Sequence, residues 1–500
     1  MLTSDFSKAV QECSPETIRA MLDAGADVRY VRPHNYTAMI DVLHRWKCDD
    51  EEDEAALVPL MQLLIERGAD VNAISDYGES ALRVAARRGR FDIVWLLLQA
   101  GADEMQLEWS PLHRAVALGT VEDIREQIKS GADLKARDYW ERTPWLLSLQ
   151  VGDLNKSAIL LDAGADRTDR GRCGKTALMY PIEGGHTPMV QWLLALGIDP
   201  NEKDDHGGTA LISASGNGHT EIVRMLLARG ADAHYRENSR AAISCAGNLE
   251  IVRLLTGLGA DINEVNQNIR DKLTGLANSE ALECSPEEYS AAKHRLFGRD
   301  NPERMNFPFW KSMVVRGSSA YSARKHFGAE KSDGEPVWCY SRFGKSLNEL
   351  PDGRVIEIGG EHEDFYDPDF CIYNDVVVHR GDGTFDIFGY PKDVFPPTDF
   401  HTATLVGRNI YVIGRLGYAG ERQYGTTPVF CLDTGTLCFE TIHTTGDMPG
   451  WIFSHKAVLV GDVILVSSGK ICRSDDGVEV TEENSQVFAL DLKSMRWTRH

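Results

Sequence analysis

The sequence lacks several features that mark common classes of protein. Its ten cysteines include no C-x-x-C pair, which argues against zinc-ribbon and thioredoxin-like motifs and predicts reduced thiols in a cytoplasm. No apolar run reaches the roughly 18–20 residues of a membrane span, and the first residues lack the pattern of a signal peptide. The phosphate-loop, G-x-S-x-G and H-E-x-x-H motifs are missing as well. These absences predict a cytoplasmic protein that is not an enzyme and uses no cofactor.

The sequence is also short of positive charge. It contains 53 Lys and Arg residues against 75 Asp and Glu residues, a net charge of −22. This balance disfavours binding to nucleic acid or to an anionic membrane, and it fits either a basic protein partner or solubility alone. Residues 49–54 are six consecutive acids, for which a docking patch and a solvated loop both stay open.

An internal repeat fills the first half of the chain. A leucine-rich segment that ends in a phrase like Gly-Ala-Asp recurs, and five of the seven intervals between its glycines lie within three residues of 33. The glycines are Gly25, Gly68, Gly101, Gly131, Gly164, Gly197, Gly230 and Gly259. In one copy Ile222, Val223 and Leu226 lie on one helical stripe, and Gly230 ends the helix. Because no unit buries such a stripe alone, we expect stacked units.

A second phrase begins several of these units. It occurs as SPLHRA, TPWLLS, TALMYP and TALISA, at residues 110–115, 143–148, 176–181 and 209–214. These phrases resemble the T-P-L-H-x-A start of the ankyrin repeat, and the resemblance covers about residues 4–265. It implies an α-solenoid of about eight helix pairs with hairpin fingers, a fold used to bind other proteins. Residues 1–265 are therefore predicted to form an ankyrin-repeat domain.

Several residues of this domain are candidates for contact with a partner. Tyr139 and Trp140 lie at the expected tip of the finger at residues 136–143, and Tyr and Trp are typical interface anchors. Trp95 occupies a helical position that is polar in other repeats, where it either contacts a partner or packs on its neighbour. Weaker candidates at comparable finger positions are Tyr77, Arg172 and His206.

The period breaks in residues 266–345, which are predicted to connect two domains. Ser285 begins a capped helix, and residues 301–328 interleave aromatic and basic side chains. Such a pattern is compatible with single-stranded nucleic acid. A packed bridge between the domains is the favoured interpretation, with Phe307, Phe309 and Trp310 in the joint.

Strand-like phrases repeat in residues 346–500. DGRVIEIGG, GRNIYVIGR and GDVILVSSG begin at residues 352, 407 and 461, and each leads to further strands. His401 and His455 precede two of the units at equivalent positions, which indicates a repeated structural hydrogen bond. The phrases resemble the kelch repeat, although only the first keeps both glycines. The resemblance implies an all-β, propeller-like domain, of which three blades are recognisable against the roughly four to eight that close a propeller.

An acidic stretch in the first of these units resembles a metal or catalytic site. Glu361, His362 and Asp364 lie within four positions, followed by Tyr366. Because the stretch falls between two predicted strands, where the other units carry different residues, we interpret it as an acidic, aromatic interaction loop. A cation site stays open as the alternative.

These patterns together predict a non-enzymatic interaction scaffold. It would bind a protein with a basic surface through the ankyrin fingers and concave face and through the kelch-like loops. The combination is similar to bacterial accessory proteins, and this resemblance implies an immunity-type protein that neutralises a toxin or effector. The alternative is an enzyme or metal-dependent module with its site in the kelch-like loops. The identity of the partner and the oligomeric state stay open.

Overall fold

A computed structural model describes residues 2–12, 14–46, 51–276, 282–329, 335–364 and 367–500. The chain divides into two compact units, Met1–Leu255 and Thr256–His500. Over the described ranges, no helix combines the length and the apolar character needed to cross a membrane.

The first unit is built from helices with two small hairpins. Its α-helices are α1 (Leu2–Gln11), α2 (Pro15–Asp23), α3 (Ala38–Arg45), α4 (Glu51–Glu66), α5 (Ala81–Arg87), α6 (Phe91–Gln99), α7 (Pro111–Leu118), α8 (Val121–Lys129), α9 (Pro144–Val151), α10 (Leu154–Asp162), α11 (Met179–Glu183), α12 (Thr187–Ala195), α13 (Ala210–Gly216), α14 (Thr220–Ala228) and α15 (Leu249–Thr256). Short 3-10 helices cover Pro33–Asn35, Glu104–Leu107 and Arg172–Gly174. The hairpin strands are β1 (Val31–Arg32), β2 (Tyr36–Thr37), β3 (Arg236–Glu237) and β4 (Arg240–Ala241).

The helices of the first unit form stacked pairs. Among the first helices, α3 packs on α5, α7 on α9, α9 on α11 and α11 on α13. Among the second helices, α8 packs on α10 and α12 on α14. The repeat period predicted from the sequence is therefore the spacing of these helix pairs.

Polar caps fix where the helices begin. The hydroxyls of Ser80, Thr143 and Thr209 each accept a hydrogen bond from the backbone N–H three residues later. Ser110 and His113 form a capping box, and the buried His113 ring also lies 3.0 Å from the carbonyl oxygen of Arg142. His113 is thus part of the fold.

Asparagine side chains connect one repeat to the next. Asn72 donates to the carbonyl of Gly101 (3.1 Å), and its side-chain oxygen accepts from the backbone of Asp103 (2.7 Å). Asn201 makes the same bond to the carbonyl of Gly230 (2.9 Å). Because Gly101 and Gly230 have φ of +89° and +85°, the glycine ends a helix and leaves its carbonyl in reach of the previous repeat.

The inserted acidic run overlaps the start of helix α4, in which residues 51–54 lie. Helix α4 extends over 16 residues, Glu51–Glu66, with Pro59 inside it. Asp49 and Asp50 lie outside the described residues, as do the side chains of residues 51–54. For residues 51–54 the helix corrects the expected loop, whereas a docking patch stays a prediction.

The second unit combines four helices with many strands. The helices are α16 (Gln267–Thr274), α17 (Pro286–Ala292), α18 (Pro308–Arg316) and α19 (Ala320–His326), with 3-10 helices at Ile262–Glu264 and Ala419–Glu421. The strands are β5 (Glu303–Arg304), β6 (Ser346–Glu349), β7 (Val355–Ile358), β8 (Glu361–Asp364), β9 (Asp367–Ile372), β10 (Val376–His379), β11 (Phe385–Gly389), β12 (Thr402–Val406), β13 (Asn409–Ile413), β14 (Val429–Asp433), β15 (Phe439–Thr441), β16 (Thr445–Gly446), β17 (Trp451–Phe453), β18 (Lys456–Val460), β19 (Val463–Ser467), β20 (Lys470–Asp475), β21 (Val478–Glu483), β22 (Phe488–Asp491) and β23 (Arg496–Arg499).

Three antiparallel meanders make up most of this unit. Their strand orders are β6-β7-β10-β11, β12-β13-β14-β15 and β18-β19-β22-β23. Strand β5 extends the first sheet, β16 joins the third in parallel, and β17-β20-β21 and β8-β9 form smaller sheets. The three repeated phrases of the sequence form β7, β13 and β19, the second strand of each meander. No closed barrel or propeller is detected in the described part of the chain, so the propeller stays a prediction.

Alternate residues of the middle sheet face two different cores. Ile410 and Val412 pack with Ile356 and Val376 of the first sheet. Tyr411 and Ile413 face the other way and pack with residues of β19 and β22 in the third sheet. Because successive side chains of a strand point to opposite faces, the middle sheet packs on both the first and the third sheet.

Residues 266–345 lie within the second compact unit, Thr256–His500, and their role as a connecting segment stays a prediction. Phe309 and Trp310 are fully buried in a core shared with Val377 and Ile387 of the first sheet. The Trp310 ring stacks on Trp338 at 4.7 Å. These residues cover the outer face of the first sheet because that face, too, is apolar and needs a partner.

Two equivalent histidines connect neighbouring sheets. His401 Nε2 lies 2.8 Å from the hydroxyl of Ser346, and His455 Nε2 lies 2.8 Å from the hydroxyl of Thr402. Each histidine thus reaches the first strand of the preceding meander. Burial lowers the pKa of His401 and of His455 to about 3, because the apolar surroundings disfavour the charged ring.

We expect the second unit to lose stability as the pH falls below 6.5. The pKa of an unfolded histidine is 6.5, whereas the pKa of the folded His401 and His455 is about 3. Stability that is fully present above pH 6.5 is therefore lost on acidification toward pH 3, by about 1.4 kcal/mol per pH unit for each histidine. Urea unfolding between about pH 7 and about pH 5.5 measures this slope. His401→Gln or His455→Gln should reduce it, and the exposed His443→Gln should not; equal slopes in all three would contradict the assignment.

Candidate functional site

Tyr139 and Trp140 lie in the finger at residues 136–143, and both side chains are half-buried. The Tyr139 hydroxyl donates to the carbonyl of Gly78 (3.3 Å), and Trp140 Nε1 donates to the carbonyl of Arg83 (3.0 Å). Their rings meet edge to face, with centroids 5.1 Å apart. Both side chains therefore pack against an earlier repeat and do not stand at a free tip, because their polar atoms find backbone acceptors there.

Three arginines surround these two rings. The Arg83 guanidinium lies 3.7 Å from the ring centre of Tyr139, and that of Arg87 lies 5.2 Å from the ring centre of Trp140. Arg172 lies 5.0 Å from both ring centres. The structure thus brings together three of the predicted contact residues, Tyr139, Trp140 and Arg172. No signal in the sequence marks Arg83 and Arg87, because charged side chains on a helix are usually solvated.

A cavity of about 230 Å³ lies beside Trp140. We call it the cationic cavity, and its lining residues are Arg87, Trp140, Arg142, Gln150, Arg172, Lys175, Tyr180 and Glu183. Four of these eight side chains are cations, and Glu183 is the only acid among them. Small-molecule sites have volumes of roughly 300–1,000 Å³, so a cavity of this size suits a single side-chain group.

Arg142 forms a fixed wall of the cationic cavity. It is buried and donates to both Asp138 and the carbonyl of Ala86, at distances of 2.6 to 2.9 Å. A further bond goes to the side-chain oxygen of Gln150, whose amide nitrogen donates to the carbonyl of Arg87 (2.6 Å). Removal of Arg142 or Asp138 would leave the other charge buried and unpaired. The two side chains therefore hold each other in place and fix this side of the cavity.

Lys175 and Glu183 form the opposite side. The Lys175 ammonium lies 2.5 Å from the Glu183 carboxylate and 4.2 Å from the ring centre of the buried Tyr180. Burial lowers the pKa of Lys175, Glu183 raises it, and the nearby Arg142 lowers it further. A Cβ at Gly171 would lie 1.9 Å from the Tyr180 hydroxyl, so only glycine allows the finger to approach so closely.

The other predicted ankyrin contacts do not line the cationic cavity. Tyr77 is 64% exposed on an earlier finger, and Trp95 is 50% exposed on α6. His206 is exposed on a later finger. Their role in partner binding stays a prediction.

The predicted acidic interaction loop is in part a buried hairpin. Glu361 and His362 are only 6% and 4% exposed, because β8 pairs with β9 and carries both residues into the protein. His362 Nδ1 lies 2.7 Å from the hydroxyl of Tyr373. The side chain of Asp364 and the whole of Tyr366 lie outside the described residues. Burial thus corrects the expectation that Glu361 and His362 are exposed for partner contact.

Glu361 is electrostatically unusual. Burial raises its pKa to about 7, and the carboxylates of Asp399 and Glu363 add to the rise. The pKa of the buried Asp399 is raised as well, mainly by burial. Among the residues described, no group of three or more His, Cys, Asp or Glu side chains is arranged to hold a metal ion.

Glu361→Gln is expected to stabilise the second unit above pH 7. The folded carboxyl has a pKa of about 7 against 4.5 when unfolded, so the stability present below pH 4.5 is lost as the pH rises through 7. Because Gln is neutral at every pH, the variant should gain about 1–3 kcal/mol at alkaline pH and nothing at acid pH. Urea unfolding at both pH values tests this. The exposed Asp393→Asn is the control, and equal behaviour of the two variants would contradict the raised pKa.

Comparison with known proteins identifies the repeats of the first unit. Residues 6–108 and 52–138 match a family profile described as ankyrin repeats in three copies. Residues 179–227 match one described as ankyrin repeats in many copies. All of these residues lie in the first unit.

Similar proteins come from a virus and from animals. An ankyrin repeat protein of Acanthamoeba polyphaga mimivirus is 33% identical over 101 residues, which are 20% of this chain and 58% of that protein. An ankyrin repeat and KH domain-containing protein of Caenorhabditis briggsae is 33% identical over 90 residues, 18% of this chain and 3% of that protein. The B-cell lymphoma 3 protein homolog of Mus musculus is 31% identical over 147 residues, 28% of this chain and 31% of that protein.

These matches establish a module but not a whole-protein activity. The chain spans less than two thirds of each of these relatives. They do not support the bacterial origin expected from the sequence. The first unit contains ankyrin repeats, which form a protein–protein interaction module.

Proposed function

We propose that the chain is a non-enzymatic scaffold that binds a protein partner through its ankyrin fingers and concave face and through loops of its strand-rich unit. The cluster of Tyr139, Trp140 and Arg172 beside the cationic cavity carries this proposal. Tyr, Trp and Arg are the residue types that dominate binding energy at interfaces. All three are already ordered by contacts with neighbours, so little side-chain entropy is lost when a partner binds.

The proposed partner has a basic surface. The net charge of −22 supports this, because complementary charge speeds the encounter of two proteins and disfavours wrong partners. The eight cysteines described are all free thiols, which supports a reducing compartment such as the cytoplasm.

The strand-rich unit is proposed to be a kelch-like array of blades. Its three four-stranded meanders support this, since each packs on the next through apolar residues of its second and third strands. The loops between β7 and β10, and their counterparts in the other sheets, would then offer a second binding surface.

A concrete form of the proposal is that the partner is a basic toxin or effector, whose active face the chain covers. The acidic charge and the presence of two repeat-built units support this form. Growth of cells that produce the captured partner, with and without this chain, distinguishes neutralisation from simple binding.

The double variant Tyr139→Ala/Trp140→Ala should lose the partner. Removal of two anchors of this kind costs about 2 kcal/mol or more, which weakens binding about 30-fold. Affinity capture followed by mass spectrometry identifies the partner, whose isoelectric point should be basic, and titration then gives the two affinities.

Two controls make this experiment specific. Met105→Ala removes a 79% exposed apolar side chain from the same unit that is not a predicted contact, and it should leave the affinity unchanged. Thermal melting must confirm that the double variant is folded. A folded double variant with unchanged affinity would refute the anchor assignment.

A metal-dependent module in the strand-rich unit is the second candidate. The observation that favours it is the raised pKa of Glu361 and of Asp399, since perturbed carboxylates concentrate at functional sites. Elemental analysis of the purified chain should then find a bound metal that is lost in His362→Ala. Absence of metal, together with melting that a chelator does not change, would exclude this candidate.

A further inference from the structure

Four cations line the cationic cavity, and each has a carboxylate within ion-pair distance: Glu79 at Arg87 (3.0 Å), Asp138 at Arg142 (2.6 Å), Glu141 at Arg172 (3.4 Å) and Glu183 at Lys175 (2.5 Å). Burial is the main cause of the lowered pKa of Lys175; Glu183 raises this pKa, and Arg142 and Arg87 lower it further. Because these carboxylates already compensate the charges, an anion in the cavity must bind through N–H groups that they leave available.

The cations differ in how far they are already engaged. Arg142 is buried and paired with Asp138, so its charge is compensated and its donors are engaged. Arg172 donates to the backbone carbonyl of Tyr139 (2.6 Å), while its Nε lies 3.4 Å from the Glu141 carboxylate. Its side chain is 41% exposed. The Arg172 guanidinium has five N–H groups. Because these contacts engage only some of them, donors remain for a ligand.

Lys175 supplies a second donor group on the other side. Its ammonium has three N–H groups, of which Glu183 engages one at 2.5 Å. Trp140 and Tyr180 offer apolar ring surface between the two cations. A group with a charged end and a short apolar stem therefore fits better than a bare ion.

Glu183, the acid that lines the cavity, favours a carboxylate over a phosphate as the ligand. Glu183 lies beside Lys175 and would repel an incoming anion. A phosphate monoester carries about −1.5 to −2 charges at neutral pH, so this repulsion is greater for it than for a carboxylate with a single charge. A carboxylate can also replace Glu183 at Lys175, since the Glu183 side chain is 39% exposed and has room to turn away.

We infer that the cationic cavity binds one carboxylate, that of a glutamate or aspartate side chain on the partner protein, with Arg172 and Lys175 as its donors. This inference rests on the proposed function as a protein-binding scaffold. It also qualifies the partner: the surface is basic overall, and a single acidic side chain anchors it at this cavity. The partner's basic surface is then attracted to the acidic chain at long range, whereas its acidic side chain contacts the cations of the cavity. A wrong partner would have to meet both conditions, which adds specificity.

The test uses the full chain and a small probe with one carboxylate. N-acetylglutamate amide is the probe, and N-acetylglutamine amide at equal ionic strength is its uncharged counterpart. Arginine side-chain N–H signals are followed by NMR on protein labelled with ¹⁵N-arginine, and Arg172→Lys assigns the signal of Arg172. We expect this signal to shift saturably with the glutamate probe and to stay unchanged with the glutamine probe.

Three variants test the roles of the lining residues. Lys175→Gln should weaken binding of the glutamate probe about ten-fold, because a hydrogen bond to a charged group is lost. Glu183→Gln should strengthen it, because the competing carboxylate is gone. Lys203→Gln is the matched control: Lys203 also lies over a tyrosine ring, 3.9 Å from the ring centre of Tyr235, but it does not line the cationic cavity. Binding by this control should equal that of the unmodified chain.

Each alternative outcome has a defined meaning. No saturable shift, an equal shift with the glutamine probe, or weaker binding by Glu183→Gln would overturn the inference. Stronger binding of inorganic phosphate than of the glutamate probe would overturn the choice of a carboxylate.

If the capture experiment finds a partner while the cavity gives no response, the proposed function stands and this inference fails. If the probe binds but no partner is captured, the cavity assignment stands and the scaffold proposal fails.

Discussion

Each element of this chain depends on a neighbour to bury its apolar face. In the first unit α7 packs on α9 and α9 on α11, and one apolar core extends from Phe6 in α1 to Leu97 in α6. In the second unit Ile410 and Val412 face one sheet, while Tyr411 and Ile413 face the other. Burial is therefore shared between successive repeats in both units. The remaining features of the molecule follow from this stacking, because it places residues of different repeats side by side.

Polar contacts between successive repeats keep the stacking in register. Asn72 and Asn201 each bond to the glycine carbonyl of the next repeat. His401 and His455 do the equivalent in the strand-rich unit, where each reaches a hydroxyl on the preceding sheet. Apolar burial alone tolerates sliding between neighbours, whereas a directional hydrogen bond does not. A repeated polar residue in such a chain is thus more often a link in the fold than a reactive group.

The cationic cavity arises where this regular pattern is locally modified. Tyr139 and Trp140 turn back onto an earlier repeat, and Gly171 lets the next finger approach Tyr180 closely. Arginines from three repeats then line one small space together with Lys175. The buried pair of Arg142 and Asp138 provides a rigid wall, so the remaining side chains are held near their positions before a partner arrives.

The sequence by itself determined the elements that depend on local interactions. Helix stripes, caps such as Thr209 and the glycine at the end of each repeat act within a few residues, so the helix pairs and the three meanders were predictable. Only the tertiary structure decided which distant residues meet. It brought Arg87 and Lys175 to one cavity, buried Glu361 and His362 in a hairpin, and joined Phe309 and Trp310 to the first sheet. These outcomes depend on contacts between residues far apart in the chain, and no local pattern records them.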